Sequence, residues 1–182
     1  MIPFEELVLH AHGELEGADA DAVDEHVLAC ASCAHTFEWL LRLPESVADV
    51  VRAGALATSV TEGLVAELRE AGLISRSYEL EPERPVPCSV SRRDIYALTT
   101  LKADLGEVTR LDVVVAPSGL PLVRMVDVPF DRATGRASYV TPSRLLLPLP
   151  SARVTIELYA VEGEAERRIG RYFLEHTAWA GD

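Results

Sequence analysis

Residues 26–33 read His-Val-Leu-Ala-Cys-Ala-Ser-Cys, and no other stretch of the 182-residue chain restricts the fold as strongly. On a helix, positions four apart share a face, so His26 and Cys30 project together one turn apart. Cys33 follows three residues on, where a turn or the end of a helix keeps its sulfur in reach. One imidazole nitrogen and two thiolate sulfurs at this spacing are donors that a tetrahedral zinc ion takes. Two other readings compete. Cysteine is often a small buried apolar residue, and a Cys-x2-Cys pair also serves as a redox dithiol. The dithiol usually follows a strand in a βαβ unit, whereas the flanks here read as helix on both sides.

Charge is distributed unevenly. The chain carries −12, and residues 1–50 alone hold −10, with Arg42 as their single Lys or Arg. A solvated acidic face is the ordinary meaning of such a run. It also repels nucleic acid and attracts basic proteins, so a basic protein partner is expected and direct nucleic-acid binding is not. No apolar run approaches a membrane span. The N-terminus "MIPFEELVLH" lacks the basic start of a secretory signal. Three cysteines do not make a disulfide framework. A reducing cytoplasm is the expected location.

The first 75 residues read as helical. "PFEELVLHAH" forms a short helix after Pro3, broken by Gly13 and Gly17. Asp19 or Asp21 caps a second helix carrying His26 and Cys30, so the first 30 residues form an αα-hairpin with the cluster at its open end. "AHTFEWLLRL" continues as helix until Pro44 ends or kinks it. "ESVADVVRAGALA" is a further amphipathic stretch. Ser59-Val-Thr-Glu62 has capping-box spacing before Leu64 and Leu68, and Gly72 is a stop signal. A Pro- and Glu-rich linker is expected over 76–86. From 87 to 182 the pattern is β, with short runs such as "DIYALTTLKADL", "RLDVVVAPS", "RLLLPLP" and "RVTIELYAVE" separated by "PSGLP", "DRATGR", "PLPSA" and "EGEAE". Seven or so antiparallel strands suggest a sandwich or small barrel. The expected class is α+β in two domains, helical (1–75) and antiparallel β (87–182).

"HGEL" followed by "AVDEHVLACASC" resembles the zinc-binding anti-sigma domain, in which a GEL turn precedes a His-x3-Cys-x2-Cys cluster. The resemblance covers roughly residues 1–75. It implies a four-helix fold in which three helices hold zinc and a following helix completes a clamp on an ECF-type sigma factor, whose polymerase-binding surfaces are occluded. The metal ligands it implies are His26, Cys30 and Cys33. The family's fourth ligand, about 25 residues before the cluster histidine, falls on Met1, which is no ligand. His10 is one candidate replacement; Glu5, Glu6, water, or a zinc-free domain are others. His12 reads as a turn residue. The zinc would be structural, or redox-linked through a Cys30–Cys33 disulfide. Contacts to sigma are expected from Leu40, Leu41, Val47, Val50, Val51, Leu64 and Leu68, some of which would instead form core.

The β region shows no GxSxG, HExxH or P-loop pattern, so no enzymatic activity is expected. Cys88 reads as a buried strand cysteine, Asp127 and Asp131 as a strand-to-turn boundary, and Trp39 and Trp179 as packing residues. The alternative function is a zinc-hairpin adaptor binding another basic partner through the same acidic face.

Overall fold

The computed structural model describes residues 2–118, 121–163 and 165–181. The architecture is α+β, a helical region followed by a β region. Compact units span Met1–Ala53 and Gly54–Asp182.

The first unit holds α1 (Phe4–Ala11), α2 (Gly17–Ala29) and α3 (Ala31–Arg52). Leu7, Val23 and Leu40, one from each helix, form its small core, with Val8, Val27 and Phe37 packed against them. Gly13 and Gly17, both at positive φ, bracket the α1–α2 turn. Pro44 neither ends nor divides the third helix, which runs unbroken through it. Proline removes one N–H, and the loss is local. Around it, the Glu38–Arg42 and Asp49–Arg52 ion pairs and a Ser46 hydroxyl donating to the Arg42 carbonyl support the turns on either side.

The second unit begins earlier than the residue-75 boundary expected from the sequence. β1 (Thr58–Val60) pairs with β8 (Arg136–Pro142), and α4 (Glu62–Glu70) buries Val65 and Leu68. The backbone of this segment is tied into the β unit: Tyr96 N–H donates to the Leu73 carbonyl, and Arg144 donates to the carbonyl of Gly54. The fourth helix therefore belongs to the β unit, not to the helical one. Its N-cap is Thr61, whose hydroxyl accepts from Leu64 N–H at 3.3 Å, and Ser59 lies in β1. Residues 76–86 are not a free linker. They contain most of β2 (Ile74–Leu80) and the start of β3 (Pro85–Cys88).

Two sheets face each other. One has the order β1-β8-β4-β2, with β4 spanning Tyr96–Lys102 and β7 (Phe130–Asp131) also on β8. The other runs β3-β10-β9-β5-β6, comprising β5 (Leu111–Pro117), β6 (Val123–Met125), β9 (Ala152–Glu162) and β10 (Ala165–His176). The sheets are mixed, not purely antiparallel: β2 runs parallel to β4, and β3 parallel to β10. Long connections returning to the same side of a neighbour make these parallel edges, which local alternation does not encode. "RLLLPLP" is not a strand. Its first residues form α5 (Ser143–Leu146), which follows Pro142 directly. Gly119 and Leu120 of the "PSGLP" turn, and Glu164 of "EGEAE", lie outside the described residues.

The alternation in β9 is realised as expected: Val154, Ile156 and Leu158 are buried inward between partly exposed Thr155, Glu157 and Tyr159. With Leu80, Leu101, Leu111, Val113 and Tyr172 they form the sandwich core. On the outer face of β5, Asp112 is only 1% exposed. It accepts two hydrogen bonds from Arg124, at 2.7 and 3.0 Å, and one from Asp127 N–H at 2.9 Å. Burial works against its charge, but the Asp127 N–H and the arginines Arg124 and Arg110 outweigh it and hold the carboxyl below its ordinary pKa. A depressed carboxyl stabilises the fold above its unfolded pKa, about 4, and that stabilisation is lost as pH falls through the lower folded value. Asp112→Asn is therefore expected to lower stability at neutral pH and to flatten the acid limb below about pH 4. Urea unfolding followed by circular dichroism across that range measures both.

Candidate metal centre

The metal cluster is assembled where α2 gives way to α3. His26 stands in the last turn of α2, Cys30 joins the two helices, and Cys33 lies in the first turn of α3. Cys30 has extended backbone angles, φ −121° and ψ 104°, so the chain turns at this residue and α3 starts in a new direction. The turn brings the sulfur of Cys33 back toward His26. One ligand atom from each of the three residues falls within 4.8 Å of the others. A tetrahedral zinc ion with Zn–S near 2.3 Å sets sulfurs about 3.7 Å apart, so binding needs a contraction of about 1 Å at most.

Two further observations fit a metal. The Nε2 of His26 is buried and has no hydrogen-bond partner among the described residues; a coordinate bond satisfies such an atom. Cys30 sits at the N-terminus of α3, where the backbone N–H of Cys33, chiefly, then the Cys33 side chain and the Ser32 N–H hold its thiol below the ordinary cysteine pKa. Metals bind the thiolate, so the helix terminus favours the ligating form. Cys33 is buried, and no described cysteine forms a disulfide. His26, Cys30 and Cys33 therefore form a three-donor group able to hold a metal ion.

His10 is not part of it. Its Nε2 lies 2.7 Å from a carboxylate oxygen of Asp24, and its ring stacks on Phe37 with centroids 5.2 Å apart. This histidine joins α1 to α2 and α3 by packing and a hydrogen bond. Among the described residues, no fourth His, Cys, Asp or Glu joins the group.

The seven residues expected to touch a partner divide sharply. Leu40 and Leu68 are buried in the cores of their own units, and Leu64 and Val51 are half-buried. Leu41, Val47 and Val50 are 55%, 49% and 45% exposed. Leu43, which the sequence reading passed over, is exposed beside them. Its spacing to Val47 and Val50 continues one helical stripe, and that periodicity was the available signal. Trp39, read from the sequence as a packing residue, is half exposed. Trp179 is partly covered, with the Arg92 guanidinium 4.7 Å from its ring. Cys88 is buried in β3, and Asp131 closes the turn after β7 by accepting from Ala133 N–H and the Thr134 hydroxyl.

No family model matches the chain, and no curated protein does. Among solved structures, the N-terminal domain of phage TP901-1 ORF48 is similar at 11% identity, over 56% of this chain and 97% of that one, with a TM-score of 0.38. A likeness of that degree carries no argument about function. No described helix is long and apolar enough to cross a membrane.

Proposed function

We propose that the protein is an anti-sigma factor whose helical unit binds an ECF-type sigma factor and regulates transcription by occlusion, acting by binding and not by catalysis. The observation that carries this reading is the combination found on α3. Its first turn supplies Cys33 to the three-donor group, and its second half exposes an apolar row of Leu43, Val47 and Val50, with Leu41 exposed on another face. The surrounding fifty residues are strongly acidic. A helix that keeps four large apolar side chains in water has surface suited to a partner. The acidic surroundings favour a basic one and oppose nucleic acid. The GEL turn and cluster spacing support the same class. Zinc, held by His26, Cys30 and Cys33, would pin the α1–α2 hairpin to α3.

The test is an affinity pull-down of the tagged protein from its own cells, with mass spectrometry of the co-purifying proteins. A sigma factor in near-equal amount is the expected result. Its absence, with the protein folded, would reassign the helical unit to an adaptor for some other basic partner.

A peroxide experiment distinguishes the two roles for the metal. In the redox-linked role, Cys30 and Cys33 give up two electrons to peroxide, form a disulfide, and release zinc and sigma together. The structural role predicts free thiols, retained zinc and retained partner at the same dose. Mass spectrometry of alkylated protein reads the difference.

A further inference from the structure

The β-sandwich is filled at one end and hollow at the other. Along β9, Val154, Ile156 and Leu158 are all core, and Val154 also borders a cavity of about 470 Å³. The same change runs along the neighbouring strands. Inward residues of β5 pass from Leu111 and Val113 to Val115 and Pro117, and those of β4 from Leu101 to Thr99 and Ala97. Small and hydroxyl-bearing side chains stand where larger aliphatic ones would close the sandwich. The cavity is roofed by Leu145, Leu146 and Leu149 and bordered by Val123. Two of these, Val123 and Leu145, are about half exposed, so its mouth is apolar. Among the described residues, no Asp, Glu, Lys or Arg lines it. At roughly 30 Å³ per water-sized group it has room for on the order of fifteen non-hydrogen atoms, within the ordinary range of ligand sites.

One polar group in the lining is left without a role. His176, the last residue of β10, is 5% exposed, and its Nε2 has no hydrogen-bond partner among the described residues. The other ring nitrogen, Nδ1, lies 3.9 Å from the sulfur of Cys88. Burial raises the Cys88 thiol above its ordinary pKa and keeps it protonated. A thiol donating to Nδ1 leaves the imidazole proton on Nε2, an unused donor that is shut off from water although the ring lines the cavity, so a ligand reaches it by displacing the ring. The hydroxyl of Tyr78 is engaged elsewhere, donating to the carbonyl of Ser89 at 2.6 Å and accepting from its N–H.

We propose that this hollow end is a binding site for an uncharged, mainly apolar small molecule that accepts a hydrogen bond from His176 Nε2 through a carbonyl oxygen. The volume sets the size of the ligand. The absence of charged lining residues selects a neutral molecule, since an ion there is desolvated without a counter-charge. The buried donor discriminates for a carbonyl over a plain hydrocarbon of equal length. The assignment is independent of the sigma reading.

Methionine occurs at residues 1 and 125 only, and Met125 lines the cavity, which makes the full chain easy to test. The protein is labelled with ¹³C-methyl methionine and titrated with 2-tridecanone, with tridecane and tridecanoic acid as comparisons. The ketone is expected to shift the Met125 methyl signal while leaving that of Met1 unmoved, and to bind more tightly than tridecane by roughly tenfold. His176→Phe should erase that preference while retaining binding of both, and Ala97→Phe should weaken both by filling the cavity. A Met125 signal unmoved by saturating ketone overturns the site, with wild-type protein and no variant needed. A preference that survives His176→Phe overturns the role of Nε2, and tighter binding of the carboxylate overturns the neutral class.

Discussion

Cys33→Ser is expected to release the metal and unfold the helical unit. The three helices share a core of Leu7, Val23 and Leu40 with a few partly buried neighbours, a small apolar core for 53 residues. A structural zinc ion supplies on the order of 10 kcal/mol in small metal-dependent domains, so under the proposed zinc reading its loss outweighs any single packing change. The replacement itself is nearly isosteric and removes only a sulfur donor. Metal analysis should fall from about one zinc per chain to near zero, and the helical circular dichroism signal should drop while the β signal persists. Chelator treatment of the unaltered protein should have the same effect. Full helicity in a zinc-free variant would show that packing alone holds the helices, and the cluster would then be a buried cysteine pair with a neighbouring histidine.

Val47→Asp and Val50→Asp are expected to abolish sigma binding without disturbing the fold. Both side chains are about half exposed on the second half of α3, so a carboxylate there remains hydrated and costs little in the free protein. In a complex, the same carboxylate would be buried against an apolar surface, a penalty of about 3 kcal/mol or more, equivalent to a hundredfold or greater loss of affinity. Leu40→Asp provides the contrast, because Leu40 belongs to the core and its replacement should unfold the unit. Calorimetric titration against the purified sigma factor, with circular dichroism of each variant, separates the two effects. Unchanged affinity in both valine variants would remove this face from the interface.

The chemistry of the cluster was legible before the fold because its members lie within eight consecutive residues. A helix ending near Cys30 is enough to bring the three donors together, and helical geometry is local. The same locality explains why the inward residues of β9 and the exposed stripe of α3 could be read from periodicity, and why α4 was found with its cap displaced by only two residues. The continuation of α3 through Pro44 was not legible. One missing N–H is a weak break when neighbouring turns carry their own side-chain bonds, and the outcome depends on that balance.

The sequence by itself determined the α+β class, the acidic character of the first fifty residues, and the three-donor group, since each follows from composition or from residues close in the chain. Tertiary structure alone decided where the units divide. Residues 54–75 are helical in part, yet β1 pairs with β8 nearly eighty residues later, and that pairing draws α4 into the β unit. It alone set the parallel edges β2 on β4 and β3 on β10, which join segments with no local signal for each other. It also placed His176 beside Cys88, 88 positions away, at the hollow end of the sandwich. Pairings between distant strands depend on the closure of long loops and on the fit of whole faces. Those terms are properties of the assembled chain, and no window of sequence contains them.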